Sequence, residues 1–146
     1  MSEDVLVERT VDLDAPADAV WTALTDGAAL SEWFGGPVTL DPVPGGAGRF
    51  DDGGGEVRQA RVDEVDTGRK LSFRWWPEDD DDGPITTVTF ELTQLGATTR
   101  LVVTERALLV GPARAQLSAA LDRRWAGALA TLAIVAASVA LSFVRV

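Results

Sequence analysis

The sequence predicts an α+β fold, an antiparallel sheet covered by one long C-terminal helix. Three observations carry this reading. Period-two runs at Glu56–Val65, Lys70–Trp76, Ile85–Leu95 and Thr98–Ala107 follow one another with only short turns between them, which implies an antiparallel meander. A proline-initiated helical stretch and a second short one follow the first strand. From about residue 112 to 144 the chain has no proline after Pro112 and a single glycine, Gly127, and it is dominated by alanine and leucine, both strong helix formers.

Each element has its own local cause. Val5, Val7, Val11 and Leu13 alternate with Leu6, Glu8, Thr10 and Asp12, the pattern of a half-buried strand. Arg9 interrupts the apolar face and is expected to reach solvent. Asp14 is placed to cap a helix, and Pro16 suits a first helical turn, where its missing N–H would be unpaired anyway. That helix is expected to reach about Leu24, with Val20, Trp21 and Leu24 on one face and Trp21 in the core. A second runs from about Ala28 to Phe34 and stops at Gly35-Gly36-Pro37. Val38–Val43 reads as extended. Gly45-Gly46 and Gly53-Gly54-Gly55 read as hairpin turns, since no helix start or P-loop lysine follows them. Strand parity puts Leu71, Phe73 and Trp75 on one face, Val88, Phe90 and Leu92 likewise, and Leu101, Val103 and Glu105 in phase with them. On the long helix, Leu117, Leu121, Trp125, Leu129, Leu132, Ala136, Val139 and Phe143 recur at three- and four-residue steps, as a packed stripe does. A twisted sheet with one apolar face must be covered, and this helix is the only large cover available.

Composition narrows the chemistry. The chain has 146 residues, enough for one domain with a real core, and residues 1–146 are read as that single domain. There is no cysteine, histidine or tyrosine, so thiolate nucleophiles, imidazole bases and phenolic acids are excluded. A formal charge of −10 repels phosphate backbones and argues against nucleic acid as a partner. The acidic start Met1-Ser2-Glu3-Asp4 has no apolar region after it and does not read as a secretory signal, which favours a cytoplasmic location. The acidic run Glu78–Asp82 only partly imitates a calcium loop and reads as a solvated hairpin tip, so no metal site and no cofactor is expected.

The ordered set of motifs resembles the SRPBCC (START-like) superfamily and, within it, the Hsp90 ATPase activator homologue-like family. The residues that carry the resemblance are Ala15-Pro16 with Val20-Trp21, Leu24-Thr25, Trp33-Phe34-Gly35, Pro44-Gly45-Gly46 to Arg49-Phe50, Gly68–Leu71 with Phe73 and Trp75, Val88–Leu92, Thr98–Leu101, and Trp125 with Leu129 and Leu132. The resemblance covers nearly the whole chain. It implies a helix-grip fold, a curved antiparallel sheet wrapped around the C-terminal helix with an apolar cavity between them.

Within that frame, Trp33, Phe34, Phe73, Trp75, Phe90, Val103, Glu105, Trp125, Leu129 and Leu132 are the expected ligand-binding residues, and no catalytic set stands out. Trp76 is a further flat side chain for a cavity mouth. Glu105 is the one carboxylate in phase with an apolar strand face. It could serve acid–base chemistry, orient a ligand, pair with Arg58 or Arg74, or reach solvent.

The C-terminal helix carries a second question. Trp125–Val144 is twenty residues without a charge, preceded by Arg123-Arg124. Such a segment spans roughly 30 Å, the thickness of a bilayer core. It is expected to grip the sheet, with surplus apolar surface pairing two copies of the chain. The alternative is a tail anchor at the cytoplasmic membrane through residues 125–144, or lipid contact by its last turns. Three functions follow: binding of a hydrophobic or amphipathic small molecule, which is the leading reading; a chaperone- or stress-linked interaction suggested by the family; and a cyclase- or hydrolase-type enzyme using Glu105.

Overall fold

The computed structural model describes residues 4–80, 83–107 and 112–144. Gly111, Asp81 and Asp82, which enter the helix-start and acidic-loop readings, lie outside them, as do residues 1–3 and 145–146.

The first strand, β1 (Asp4–Leu13), leads into α1 (Ala17–Thr25) and α2 (Gly27–Phe34). Six strands follow: β2 (Val38–Leu40), β3 (Ala47–Asp51), β4 (Val57–Asp66), β5 (Lys70–Pro77), β6 (Thr86–Leu95) and β7 (Thr98–Ala107). The chain closes with α3 (Pro112–Val144). The strands form one antiparallel sheet in the order β1-β7-β6-β5-β4-β3-β2, so β1 returns to pair with the last strand and the short β2 takes the other edge. Register shifts at Val5/Val7 and at Val62/Glu64 introduce extra residues into β1 and β4, which bends a sheet and strengthens its twist. The result is the curved helix-grip arrangement that the periodicity and the resemblance predict.

Two local features differ from the sequence reading. The extended run after Pro37 is regular only over Val38–Leu40, and Ala47–Asp51, between two glycine turns, forms a strand of its own. Asp14 does not cap α1. The backbone N–H of Ala17 is held instead by the Gln94 side chain, at 2.6 Å from β6, so a distant residue takes the role expected of a near one.

The core lies between the concave face of the sheet and α3. Leu71, Phe73, Trp75, Val88, Phe90, Leu92, Leu101, Val103 and Glu105 face inward as parity predicts. Leu121, Trp125, Leu129, Leu132, Val135 and Ala136 answer them from α3. The grip reading of α3 therefore holds: the residues that match the family are against the sheet. The stripe ends before the helix does, since its last member, Phe143, is exposed, as is Leu141 beside it; Ile134 is exposed on the outer face. By length and composition alone, α3 is the one helix among the described residues that could cross a membrane, and its inner face is already taken by the core.

Arg9 does not simply reach solvent. It lies on the same side of β1 as Val7 and Val11 and meets α3, where it clasps the Asp122 carboxylate with Nε at 2.8 Å and Nη2 at 2.9 Å.

Close backbone approach sets the α2 end. Gly35 closes α2 at φ +105°, and a Cβ there would stand 2.9 Å from the Asp52 carbonyl oxygen. A Cβ on Gly36 would stand 2.5 Å from the Asp51 carbonyl. These glycines let the end of α2 lie directly on the β3–β4 turn, and that junction forms one wall of the site described next.

Candidate functional site

The space between sheet and α3 is filled by rings. Phe34 packs on Phe50 at 5.2 Å between centroids, Phe50 stacks on Phe73 at 5.3 Å, and Trp75 stacks on Trp125 at 6.2 Å. Phe90 meets Trp125 edge-on at 5.8 Å. Offset and edge-to-face pairs of this kind add to the burial of the rings themselves. Near Phe34 and Phe50 a hollow of only about 10 Å³ remains, room for about one water. Open volume adjoins this interior at the rim, while a larger depression of about 480 Å³ lies apart from it, among Ala17, Gly68, Arg69, Leu92, Thr93 and Gln94. A cleft of about 310 Å³ runs between the end of α2 (Trp33, Phe34, Gly35), Asp52 of the β3–β4 turn, and the middle of α3 (Gly127, Ala128, Thr131). That is the lower end of the range for small-molecule sites. Phe34 and Arg124 line both spaces, so the rim cleft adjoins the aromatic interior.

Of the residues expected from sequence, Trp33 and Phe34 line the cleft. Trp33 is nearly buried and donates its indole N–H to the Ala23 carbonyl at 2.7 Å, which ties α2 to α1. Phe73, Trp75, Phe90, Val103, Trp125, Leu129 and Leu132 lie within the packed core. Trp76 falls on the opposite face of β5, and Trp21 is partly buried against the core.

Glu105 is fully buried. Its Oε1 accepts the indole N–H of Trp125 at 2.9 Å, and its Oε2 accepts that of Trp75 at 2.9 Å and the Thr86 hydroxyl. All three partners donate, which suits a group of acceptor oxygens, and together they satisfy a carboxylate that would otherwise be costly to bury. Glu105 thus fastens β5, β6 and α3 to β7. Neither arginine weighed as its partner salt-bridges it: Arg74 pairs with Asp63, and Arg58 pairs with Glu56.

An ionic cluster guards the junction of hollow and cleft. Arg58 donates to Glu56 Oε1 through Nε at 3.1 Å and Nη2 at 2.7 Å, and Arg124 donates to Glu56 Oε2. The Arg58 guanidinium lies 4.5 Å above the Trp75 ring, a cation–π contact. Burial, and next the neighbouring Arg124 charge, pull the Arg58 guanidinium below its ordinary value against the opposing pull of Glu56. Burial alone would raise the Glu56 carboxyl, but the Arg58 and Arg124 charges outweigh it and hold the group below its ordinary value. Sequence reasoning had no signal for this cluster, because Arg124 lies far along the chain from the neighbouring Glu56 and Arg58. Among the described residues there is no group of acidic side chains arranged to hold a metal ion.

Fold and site together define a helix-grip domain with a packed aromatic interior and a cleft at its rim. The chain belongs to the family described as activator of Hsp90 ATPase homolog 1-like proteins, whose model matches residues 14–136. Among solved structures it is similar to DynU16, a protein of the dynemicin biosynthetic locus, at 31% identity over 87% of this chain, with a TM-score of 0.73. The match takes in 45% of the DynU16 chain, so this chain spans less than half of that protein. It shares its fold with protein MLL2253 from Mesorhizobium loti, at 21% identity over 88% of this chain and 96% of that one, with a TM-score of 0.76. It also shares its fold with an HSP90 activator from Plasmodium falciparum, at 21% identity over 72% and 74% of the two chains, with a TM-score of 0.62. No curated protein sequence matches it.

Proposed function

We propose that this protein binds a hydrophobic or amphipathic small molecule at the cleft between α2 and α3. The observation that carries this is the open volume of about 310 Å³ beside Phe34, where an apolar group can lie against a ring that continues into the aromatic core. The similarity to a protein from a biosynthetic locus supports a small-molecule role. A cytoplasmic location goes with this reading.

Native mass spectrometry of the purified chain, with titration of a solvatochromic dye, tests it. The expected result is a bound small molecule or dye fluorescence that saturates, reduced when Ala128→Trp fills the cleft. A bare chain with no saturable dye response overturns it.

A second reading, a chaperone-linked interaction, draws on the family and on the fold shared with the Plasmodium HSP90 activator. Co-purification with the chaperone, against an acidic control protein of equal charge, is its test; equal recovery of both sinks it.

A further inference from the structure

We infer that the cleft takes an amphipathic acid, whose carboxylate replaces Glu56 between Arg58 and Arg124 while its apolar body lies along Phe34. The inference rests on the small-molecule reading above and adds the charge class of the ligand.

The geometry is that of an anion receptor already holding an anion of its own. Arg58 from β4 and Arg124 from α3 converge on one carboxylate, with Arg58 giving two N–H groups and Arg124 a third. Guanidinium groups suit planar oxyanions because their donors lie in a fixed fork. Arg58 is fixed from below by the Trp75 ring at 4.5 Å, and its side chain is only 13% exposed. A cation so far out of water must keep an anionic partner.

The partner it has is the most replaceable part of the cluster. The Glu56 side chain is 41% exposed and follows Gly53-Gly54-Gly55, in which Gly53 and Gly55 adopt φ of +76° and +100°. A carboxylate brought in by a ligand can make the same three hydrogen bonds and let Glu56 turn to water. The ligand's remaining part then has one place to go, because Arg124 and Phe34 line both the small hollow and the open cleft.

Two other carboxylates line the cleft, Asp52 and Glu32, and a third, Glu105, acts on the Arg58 charge from inside the core. Asp52 commits Oδ1 to its own turn, accepting the Gly54 N–H at 2.7 Å and the Glu56 N–H at 3.1 Å. Glu32 stands exposed on the cleft wall. They favour a cationic head group, which is the competing outcome.

The test compares three ligands with one tail, dodecanoate, dodecanol and dodecyltrimethylammonium, each below its aggregation threshold, by tryptophan fluorescence and calorimetry on the full chain. Dodecanoate is expected to bind about tenfold more tightly than dodecanol. Arg124→Gln should abolish that preference, costing dodecanoate far more affinity than it costs dodecanol. Glu56→Gln should tighten dodecanoate severalfold by removing the internal competitor. Equal affinity for acid and alcohol, tighter binding of the ammonium ligand, or an equal loss of acid and alcohol in Arg124→Gln overturns the inference. Failure of all three ligands to bind overturns the cleft reading itself. The comparison in the unsubstituted chain decides the matter whatever the variants' stability.

Discussion

Glu105 on β7 accepts the indole N–H of Trp125 on α3 at 2.9 Å, with both side chains out of water. This bond crosses the interface between sheet and helix, so it joins the two halves of the core. The same carboxylate takes up the Trp75 indole and the Thr86 hydroxyl. Glu105→Gln puts an amide N–H₂ where one of these donors now finds an oxygen. It is expected to cost about 2 kcal/mol, or roughly 6 °C in melting temperature for a domain of this size. Trp125→Phe keeps a ring and removes one donor. A double-mutant cycle by thermal denaturation should give a coupling of about 1 kcal/mol or more between the two; additive effects would show that the bond contributes nothing of its own.

Arg9 and Asp122 also join sheet to helix, and the contrast is instructive. Their side chains are 38% and 51% exposed, so water screens the pair. Arg9→Ala should cost no more than about 1 kcal/mol, and the cost should shrink with added salt. A loss as large as that of Glu105→Gln would mean that the arginine stem, rather than its charge, packs α3 in place.

The two faces of α3 make opposite predictions. Leu132 is fully buried and Ile134 is 71% exposed, although they are two residues apart in an apolar run. Leu132→Ala should cost about 2–5 kcal/mol, while Ile134→Ala should stay within about 0.5 kcal/mol. Chemical denaturation measures both. Similar costs at the two positions would contradict the grip geometry.

Acid should weaken the ionic cluster in a defined direction. The Glu56 carboxyl is held below its ordinary value of 4.5 by its two arginines, after burial has pushed the other way. The folded state therefore binds this proton less readily than the unfolded chain does. The contribution of Glu56 is fully present at neutral pH, begins to fade as pH falls through 4.5, and is lost below the folded value. Stability measured against pH should show this loss in the unsubstituted chain and a smaller one in Glu56→Gln. Asp12 beside Arg100, and Glu78 beside Arg49 and Gln59, are lowered in the same sense and supply the residual slope.

Much of the fold was legible because side-chain period reports exposure directly. Period two along β5, β6 and β7 placed Phe73, Phe90 and Val103 inside, and the three-to-four step along α3 placed Trp125, Leu129 and Leu132 opposite them. The pattern failed at β3, where five residues between glycine turns are too few to show a period. It also failed at the end of α3, where composition stays apolar after the sheet has run out and Phe143 meets solvent. The site was legible in one part only. Trp33-Phe34-Gly35 marks the cleft wall because those residues are adjacent in sequence.

What the sequence determined alone is the class of structure and the side of each element that faces inward, since both follow from local period and turn chemistry. Tertiary structure decided the rest. That Glu105 is a buried fastener depends on two indoles and a hydroxyl from three other elements. That Phe34, Phe50, Trp75 and Trp125 fill the interior and leave an open cleft at the rim depends on how rings from four elements pack. That Arg58 and Arg124 share Glu56 depends on bringing together residues separated by 66 positions. Volume and charge pairing are properties of convergence in space, and no local pattern in the chain encodes them.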